Sequence, residues 1–323
     1  MSFEDLGVTG LVSKILLVDG DIIVYQPCTI YTEDDDASRR SIGRKISNKL
    51  DKLMAAAGCD RYMFFLTTKF NFRNELVDDY KANRSKKDRP VNLEWAKKFA
   101  VKHLNAHYVK GLEADDLLGI YMKEDCVIWS IDKDLRQIPG EHLDDDTQKV
   151  ITITEEGRLE QKFWVTKDGN PRDKIYFEGD LGLYHQMLIG DKTDNILGCA
   201  QMKPVMTKTG ANKGQVKVKR VGVGEKASYK AIIAGIIKAR ATGTRTDSEA
   251  ALAVVIFNYK KIWGDKWQVH LETQANLLFM VRMMQGDIFR RWTYDGRKEY
   301  FHLIEGRILT EEEFINDYKT IKN

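Results

Sequence analysis

Short clusters of acidic residues recur along the chain at places where a metal ion could be bound. Two of them, Asp19-Gly-Asp21 and Asp132-Lys-Asp134, directly follow apolar runs that are typical of buried strands. In an open parallel sheet, ligands bind outside the carboxyl ends of the strands. Carboxylates at two such ends would therefore converge on one crevice.

Two further acidic clusters extend this set. Glu113, Asp115 and Asp116 open a predicted helix, and Asp191 and Asp194 lie in a predicted turn. Each cluster alone is also typical of ordinary structure, since acids favour helix N-termini and Asp-rich turns are common. Together, many carboxylates in one crevice would raise each other's pKa, a cost that divalent cations remove.

The donor types in these clusters indicate a hard cation. Carboxylates without a His or Cys cluster favour Mg²⁺, or Mn²⁺ in its place, over zinc. Two such ions ~4 Å apart would serve phosphodiester hydrolysis. The four cysteines are widely spaced and form no CxxC pair, which argues against a zinc site or a disulfide scaffold and favours a reducing compartment.

Basic residues are segregated from the acids in a way that suits a polyanionic ligand. Residues 81–110 hold nine Lys or Arg against two acids, and residues 203–226 hold seven against one. In the first tract, Lys81 and Arg84 are spaced to reach neighbouring phosphate oxygens. In the second, a glycine-rich segment opens a helix, where backbone N–H groups could approach a phosphate. Solvated basic surfaces and an ordinary glycine-rich helix start are the alternatives.

The apolar pattern predicts an α/β first part and a helical second part, with the boundary near residue 178. Strands alternate with helices in the first part, which indicates a parallel sheet with crossovers. The predicted strands and helices there are 15–18, 40–57, 62–66, 92–106, 114–123 and 127–131. Residues 149–154 and 158–165 are predicted to pair as a hairpin. The helices predicted afterwards are 181–189, 226–239, 248–262 and 271–285, with a mobile loop at 199–220.

Length and composition indicate a folded protein of about two domains. The chain has 323 residues, 43% of them hydrophobic and 10% aromatic, and a net charge of +3. These values exclude disorder as the main state. The longest apolar run, residues 250–257, is far shorter than the ~20 residues that cross a bilayer, and the acidic N-terminus lacks a secretory pattern.

Taken in chain order, six motifs resemble the structure-specific 5′-nuclease (flap endonuclease) superfamily. They are most similar to the 5′-exonucleases of short-tailed bacteriophages. The motifs extend from residue 16 to about residue 230, and each one is short, but their shared order makes the set specific. They are residues 16–21, 72–77 with 80–84, 112–116, 130–134, 190–194 and 222–224.

The resemblance implies an architecture and a set of metal ligands. It implies a PIN-like α/β nuclease core at 1–178, with a helical arch at about 85–110. It also implies a helical DNA-binding region at 179–323 that contains a helix-turn-helix-like element. The positions that match ligands of the first metal are Asp19, Glu113 and Asp115. The positions that match acids around the second metal are Asp116, Asp132, Asp134, Asp191 and Asp194.

The resemblance also implies nucleic-acid contacts. Lys81 and Arg84 match the pair that engages the scissile phosphate. Tyr25 matches an aromatic residue that stacks on a terminal base in some members, and a core tyrosine is the alternative. The positions that match the turn holding duplex backbone, with a bound K⁺, are Gly222, Gly224 and Lys226.

The implied function is Mg²⁺-dependent 5′→3′ hydrolysis at duplex 5′ ends, nicks or flaps, extending to RNA in RNA–DNA hybrids. The implied location is the cytoplasm of a bacterial or phage-infected cell. The sequence departs from the family pattern after the second strand, where Leu66, Thr67 or Thr68 stands in place of an aspartate. We therefore expect weaker metal affinity or a reduced rate.

Two other functions fit part of the sequence. A catalytically weakened DNA-binding relative would explain the missing aspartate. A haloacid-dehalogenase-type phosphatase would explain Asp19-Gly-Asp21 and the acidic turn near Asp191. The phosphatase leaves the other acidic clusters and both basic tracts unexplained.

Overall fold

The computed structural model describes residues 13–86, 89–206 and 215–315. Residues 311–315 are helical, and nine further α-helices lie within these ranges. They are α1 (Gly20–Ile30), α2 (Asp36–Ala57), α3 (Arg73–Leu76), α4 (Leu93–His103), α5 (Ala114–Tyr121), α6 (Gly179–Ile189), α7 (Glu225–Thr242), α8 (Asp247–Trp263) and α9 (Trp267–Leu278).

Thirteen strands lie within the same described ranges. They are β1 (Ile15–Asp19), β2 (Arg61–Phe65), β3 (Cys126–Trp129), β4 (Gly140–Asp144), β5 (Lys149–Ile153), β6 (Arg158–Val165), β7 (Pro171–Glu178), β8 (Ala200–Met206), β9 (Val216–Gly222), β10 (Met284–Gln285), β11 (Ile288–Arg290), β12 (Glu299–His302) and β13 (Arg307–Thr310).

The described residues fall into two compact units. The main division lies between Ile153 and Thr154, earlier than the predicted boundary at residue 178. The first unit consists of residues 13–70, 89–135 and 140–153. The second unit consists of residues 71–86, 136–139, 154–206 and 215–315. The chain therefore leaves the first unit twice before its final exit, which a single predicted boundary could not represent.

The first unit is built on a five-stranded sheet with the order β2-β1-β3-β4-β5. The first four strands are parallel, and β5 is antiparallel to β4, which confirms the predicted parallel-sheet core. Leu16, Leu17 and Val18 are fully buried, as expected for a central strand that is covered on both faces. The chain passes from β1 to β2 on one side and then to β3 on the other. The strand order thus reverses between β1 and β3, where α/β sheets bind ligands.

The Asp19-Gly-Asp21 segment is not the tight turn that the sequence predicted. Helix α1 begins at Gly20, directly after β1. A Cβ atom at Gly20 would lie 2.4 Å from the Phe65 backbone oxygen. The absence of a side chain therefore lets the strand pass into the helix beside β2, and it leaves Asp19 at the junction.

Helix α4 lies where the sequence predicted an arch, but it is a packed crossover helix. Ala96 and Ala100 are fully buried in the core of the first unit. The Asn92 side-chain amide, just before the helix, donates hydrogen bonds to the backbone oxygens of Tyr31 (3.0 Å) and Glu33 (2.9 Å). The alanines at helical spacing pack against α1 and α2, so one face of Leu93–His103 is buried in this unit, and the arch at about 85–110 stays a prediction. Residues 87 and 88 lie outside the described residues.

The second unit has a core formed largely by α6, α7, α8 and α9, at the places where the sequence predicted helices. Helix α9 ends at Leu278 rather than near residue 285. Arg73 explains this end, because its buried guanidinium donates hydrogen bonds to the backbone oxygens of Leu277 (3.0 Å) and Phe279 (2.9 Å). An arginine in one of the family-like motifs thus has a structural contact within this unit.

The second unit also contains eight strands, and six of them, β8 to β13, lie in residues 179–323, which were predicted to be helical. Strand β6 pairs with β7 and not with β5, which pairs with β4 instead. The predicted mobile loop at 199–220 contains β8 and β9, which form an antiparallel hairpin, while its residues 207–214 lie outside the described residues. The last strands form a four-stranded sheet in the order β10-β11-β12-β13. Short strands with mixed polarity carry little periodic signal, which is why the pattern missed them.

Among the described residues, no helix has the length and apolar character needed to cross a membrane.

Candidate active site

Asp19 is the central carboxylate of the first unit. It ends β1, and only 4% of the residue is exposed. Because β1 and β3 are parallel with Val18 opposite Trp129, Ser130 follows β3 at the level of Asp19. The Ser130 hydroxyl donates a 2.7 Å hydrogen bond to Asp19 Oδ2. This contact joins the two strand ends that were predicted to converge, through a serine to which no role was assigned from the sequence.

The surroundings of Asp19 disfavour an ionised carboxylate. Burial, together with the nearby charges of Asp21 and Asp132, raises the pKa of Asp19 to about 7, although the Ser130 hydrogen bond acts in the opposite direction. These are the electrostatics of a site with an excess of negative charge. A divalent cation at this position would offset the repulsion.

The turn after β3 is fixed by its own polar side chains. Ser130 Oγ accepts a hydrogen bond from the Asp132 backbone N–H (3.0 Å), and Asp132 Oδ1 accepts one from the Asp134 N–H (2.9 Å). Asp132 is exposed, whereas the Asp134 side chain is 14% exposed and lies 3.9 Å from the Lys133 ammonium group. Ser130 therefore contacts both Asp19 and the Asp132 turn, which links two of the predicted metal ligands.

The cluster before α5 caps that helix. Glu113 and Asp116 form a reciprocal capping box, in which Asp116 Oδ2 accepts a 3.1 Å hydrogen bond from the Glu113 N–H. Both residues are buried, and Asp115 between them is partly exposed. The capping alternative is thus realised for Glu113 and Asp116, and the metal roles of these three acids stay predictions.

A threonine and a lysine occupy the region where the family pattern has an aspartate. Thr67 Oγ1 accepts a 2.9 Å hydrogen bond from the Ala114 N–H, and the Thr67 N–H donates one of 2.9 Å to Asp21 Oδ2. The Lys97 ammonium lies 2.8 Å from Asp21 Oδ1 and donates a 3.0 Å hydrogen bond to the Thr67 backbone oxygen. Thr68 instead bonds the Phe70 backbone oxygen (3.0 Å). Asp21 therefore already has a cationic partner, and Lys97 was not singled out from the sequence.

The donor set fits a hard cation that keeps part of its water. All the candidate ligands are carboxylate or hydroxyl oxygens, which suit Mg²⁺ or Mn²⁺. Among the described residues, no three His, Cys, Asp or Glu side chains are grouped closely enough to hold one metal ion. Protein-bound Mg²⁺ often takes only one or two carboxylates and retains several waters. The charge of Asp132 acts on Asp19, and both carboxylates stay predicted ligands of such a site.

The second unit contains a different arrangement of charge, in which an acid is paired with two cations. The Lys81 ammonium lies 3.4 Å from Asp194 Oδ2, and the Arg84 guanidinium contacts Asp194 Oδ1. The Lys81 backbone N–H also donates a 2.9 Å hydrogen bond to the Asp194 backbone oxygen. The two predicted phosphate-binding cations are thus brought together with one predicted metal ligand.

Backbone contacts hold this group of charges in place. Asn83 Nδ2 donates a hydrogen bond to the Lys192 backbone oxygen (2.9 Å), and Asn195 Nδ2 donates one to the Asp79 backbone oxygen (2.8 Å). Asp191 Oδ1 accepts a 2.6 Å hydrogen bond from the Thr193 N–H, which closes the turn. Residues 79–84 and 191–195 therefore form one polar platform, in which Asp191 has a structural contact.

Lys81 and Asn195 both have left-handed backbones, with φ values of 56° and 60°. Non-glycine residues rarely adopt this conformation and persist there only when their surroundings fix them. Its occurrence on both segments of the platform shows that the platform geometry is specified by its contacts.

The remaining predicted contact residues lie at surfaces. Tyr25 is 44% exposed on α1, so the core-tyrosine alternative is wrong. Gly222 ends β9 and Gly224 precedes α7, so a strand rather than a helix enters this turn. The side chain of Lys226, in the first turn of α7, is 66% exposed and lies 2.9 Å from Asp173. The helix start was thus predicted correctly, and the preceding helix of a helix-turn-helix was not found.

Residues 14–164 match a family model described as the 5′-3′ exonuclease, N-terminal resolvase-like domain. Over 205 residues the chain is 26% identical to a 5′-3′ exonuclease of Buchnera aphidicola subsp. Acyrthosiphon pisum (strain APS). The aligned region covers 58% of this chain and 65% of that protein. The chain is 25% identical over 199 residues to the 5′-3′ exonuclease of Buchnera aphidicola subsp. Schizaphis graminum (strain Sg), covering 57% and 64%. The chain thus spans just under two thirds of these curated relatives.

Among solved structures, the chain is similar to the T5 D15 protein co-crystallised with metal ions, with 13% identity and a TM-score of 0.42. That similarity covers 82% of this chain and 98% of the other. The family match over residues 14–164 confirms the resemblance to the 5′-nuclease superfamily, and it includes the first unit's sheet and the carboxylates around Asp19.

Proposed function

We propose that this chain is a divalent-metal-dependent 5′→3′ nuclease that hydrolyses phosphodiester bonds at duplex 5′ ends, nicks or flaps. The observation that carries the proposal is the junction of Asp19, Ser130 and Asp132 between β1 and β3. It lies at the topological switch point of the sheet and within the stretch that matches the 5′-3′ exonuclease domain. The negative charge around Asp19 favours a cation, with Mg²⁺ first and Mn²⁺ as its substitute.

The proposed roles of the acids follow from their surroundings. Asp19 and Asp132 would hold the cation, and Ser130 positions both of them. Glu113 and Asp116 fix the start of α5, so that Asp115 is presented at the helix N-terminus. The bound cations, two in the proposed complete site, would supply activation of water and stabilisation of the developing negative charge.

Lys81 and Arg84 would engage the scissile phosphate. Both cations already lie beside an anionic oxygen pair, that of Asp194. A phosphate offers the same charge and bidentate geometry, so it could compete with this carboxylate for Arg84. The fixed platform keeps both cations oriented before substrate binds, which is how preorganised charge lowers a reaction barrier.

Contacts to the rest of the substrate are proposed at surfaces. Exposed Tyr25 is suited to stacking on an unpaired terminal base. The turn from Gly222 to Lys226 is proposed to hold duplex backbone, with K⁺ as a candidate bound ion. Because the backbones of DNA and RNA carry the same phosphate groups, the proposal includes the RNA strand of RNA–DNA hybrids. The four free, buried cysteines suit a reducing bacterial or phage-infected cytoplasm.

The test uses one set of 5′-labelled duplexes: blunt, recessed, nicked and flapped. Each is incubated with Mg²⁺ and with the wild-type chain, the Asp132→Ala/Asp134→Ala variant or the Asp60→Ala variant. Asp60 is a matched acidic control, since it is exposed and its carboxylate contacts Ser13 just before β2 begins. We expect metal-dependent products from the 5′ end with wild type and Asp60→Ala, and none with the double variant.

Two outcomes would replace the proposal. Tight binding of branched DNA without cleavage in Mg²⁺ or Mn²⁺ would favour the weakened DNA-binding relative. The observation that supports this alternative is that Thr67 and Lys97 occupy the region where the family pattern has an aspartate. Turnover of a small phosphomonoester, abolished by Asp19→Asn, would favour the phosphatase instead.

A further inference from the structure

The hairpin of β8 and β9 has two chemically different faces. Side chains alternate between the faces of a strand, and directly paired residues of two antiparallel strands share a face. The register pairs Lys203 with Lys219 and Val205 with Lys217, so three lysines share one face. The opposite face carries Met202, Pro204, Met206, Val216 and Val218, and its one described cation is Arg220, which pairs with Met202.

The lysine face is electrostatically unfavourable by itself. Lys203 and Lys219 lie directly opposite each other, and like charges in that arrangement destabilise a strand pair. Among the described residues, no carboxylate forms an ion pair with Lys203, Lys217 or Lys219. All three lysines are exposed, and no described carboxylate is paired with them.

The hairpin of β6 and β7 shows how the same chain compensates a similar pair. Lys162 lies opposite Lys174 in that hairpin. Both ammonium groups lie over the Tyr176 ring, at 4.7 and 5.1 Å from its centroid, and Lys162 is 4.0 Å from Glu160. The β8–β9 pair has no such aromatic or acidic neighbour among the described residues, which indicates that its charge serves an external ligand.

The base of the β8–β9 hairpin is held firmly, so the lysines project from a fixed support. Gln201 donates a 3.0 Å hydrogen bond to the Ile262 backbone oxygen, and the Arg220 guanidinium contacts the Ile189 backbone oxygen. A Cβ atom at Gly222 would lie 2.4 Å from the Cys199 oxygen, so the last pair is closely packed. A two-stranded ribbon is marginal alone, and these anchors supply the support.

We infer that the face formed by Lys203, Lys217 and Lys219 binds the phosphate backbone of duplex nucleic acid. Three cations on a supported ribbon suit a regular polyanion. When phosphates bind, they neutralise the lysine charge that has no partner within the described residues. This inference deepens the proposed function, because the ligand would be the duplex part of the proposed substrate. It concerns binding and does not depend on cleavage.

The test measures binding of a fluorescein-labelled flapped duplex in EDTA, over a series of NaCl concentrations. The variant is Lys203→Gln/Lys217→Gln/Lys219→Gln, and the control is Val216→Thr/Val218→Thr, which alters only the other face of the same ribbon. We expect at least about tenfold weaker binding for the triple variant, with a salt dependence shallower by about 2.7 in log–log slope. The control should bind like wild type.

Stability gives an independent readout. Removing the repulsion between Lys203 and Lys219 should leave the unfolding temperature of the triple variant unchanged or higher. Wild-type affinity and salt slope in the triple variant would overturn the inference, as would a fall in its unfolding temperature. A wild-type preference for poly-glutamate over a duplex of equal charge, lost in the triple variant, would assign the face to an acidic protein instead.

Cleavage in Mg²⁺ separates this inference from the proposed function. Cleavage by wild type together with unchanged binding by the triple variant would leave the nuclease and remove the ribbon's role. Lysine-dependent binding without cleavage would leave the ribbon's role and remove the nuclease.

Discussion

Asp19 and Asp194 are both acids in motifs of the resemblance, but their surroundings are opposite. Asp19 is buried near Asp21 and Asp132, and its pKa is raised to about 7. Asp194 lies against Lys81 and Arg84. Among the described residues, no cation forms an ion pair with Asp19, whereas Asp194 is paired with two cations. A position in an acidic motif therefore does not by itself predict a metal ligand. The charges around Asp19 and Asp194 must also be considered, and they differ in sign.

The proposed function gives the two units separate tasks. The acids around Asp19 would attract a cation, and the platform around Asp194 would present cations to an anion. Substitutions in the two regions should therefore differ in their effects on metal dependence, rate and stability.

The largest expected effect comes from Asp19→Asn. Removing a carboxylate that holds the cation should lower the cleavage rate roughly 10³-fold, because preorganised electrostatic stabilisation is commonly the largest catalytic contribution. The same change should raise the unfolding temperature without metal at neutral pH, since an ionised buried carboxylate is removed. Single-turnover cleavage and thermal unfolding measure the two effects. A loss of rate accompanied by a lower unfolding temperature would contradict this account of Asp19.

Arg84→Gln should have the next largest effect. Its loss removes a bidentate contact to the phosphate and should lower the cleavage rate roughly 10²-fold, with the Mg²⁺ concentration for half-maximal activity unchanged. Lys192→Gln is the matched control, because that exposed lysine lies in the same platform and contributes its backbone oxygen. A shifted metal requirement for Arg84→Gln, with the rate at saturation restored, would show that the two regions are not separate in function.

Metal should stabilise the wild-type protein more at about pH 8 than at about pH 5. The pKa of Asp19 is raised in the folded protein. Without metal, its contribution to stability is therefore fully present at a pH below the pKa that Asp19 has in the unfolded chain. This contribution is lost as the pH rises through about 7. A cation restores stability where Asp19 is ionised, by an effect on the order of 2 kcal/mol. Thermal unfolding with Mg²⁺ or EDTA measures it. Asp194→Asn should retain the pH dependence, whereas Asp19→Asn should lose it.

Thr68→Asp should have the smallest effect. It restores an acid where the family pattern has one, and Thr68 is the better position because Thr67 already bonds both Asp21 and the start of α5. The Mg²⁺ concentration for half-maximal cleavage should fall a few-fold, in keeping with one added carboxylate. Thr67→Asp is the comparison variant and should instead destabilise the fold. An unchanged metal requirement would refute the link between the missing aspartate and metal affinity.

The features that could be predicted from the sequence depend on local patterns. The apolar runs that end in Asp19 and precede Asp132 were sufficient to predict β1, β3 and the meeting of their carboxyl ends. The pairing of β6 with β7, and the hairpin of β8 and β9, depend on partners that no local pattern specifies. The arch at about 85–110 was predicted from the resemblance, whereas the burial of Ala96 and Ala100 in helix α4 has no counterpart in a local pattern.

Within the candidate site, the sequence identified acids more readily than the groups that position them. Ser130 was missed because one serine carries no pattern, although it contacts both Asp19 and the Asp132 turn. Lys97 was missed because it lies 76 positions after Asp21 in the chain and 2.8 Å from it in space. Ion pairs formed by tertiary contacts are determined by the fold rather than by neighbouring residues.

The interleaving of the two units affects how the protein matures during synthesis. Residues 71–86 leave the ribosome long before residues 191–195, their partners in the polar platform. Lys81 and Arg84 can therefore acquire their Asp194 contacts only after more than a hundred further residues have been added. A nascent chain that ends before that point holds the acids around Asp19 without this platform, so assembly of the complete set of charged groups is coupled to translation of the second unit.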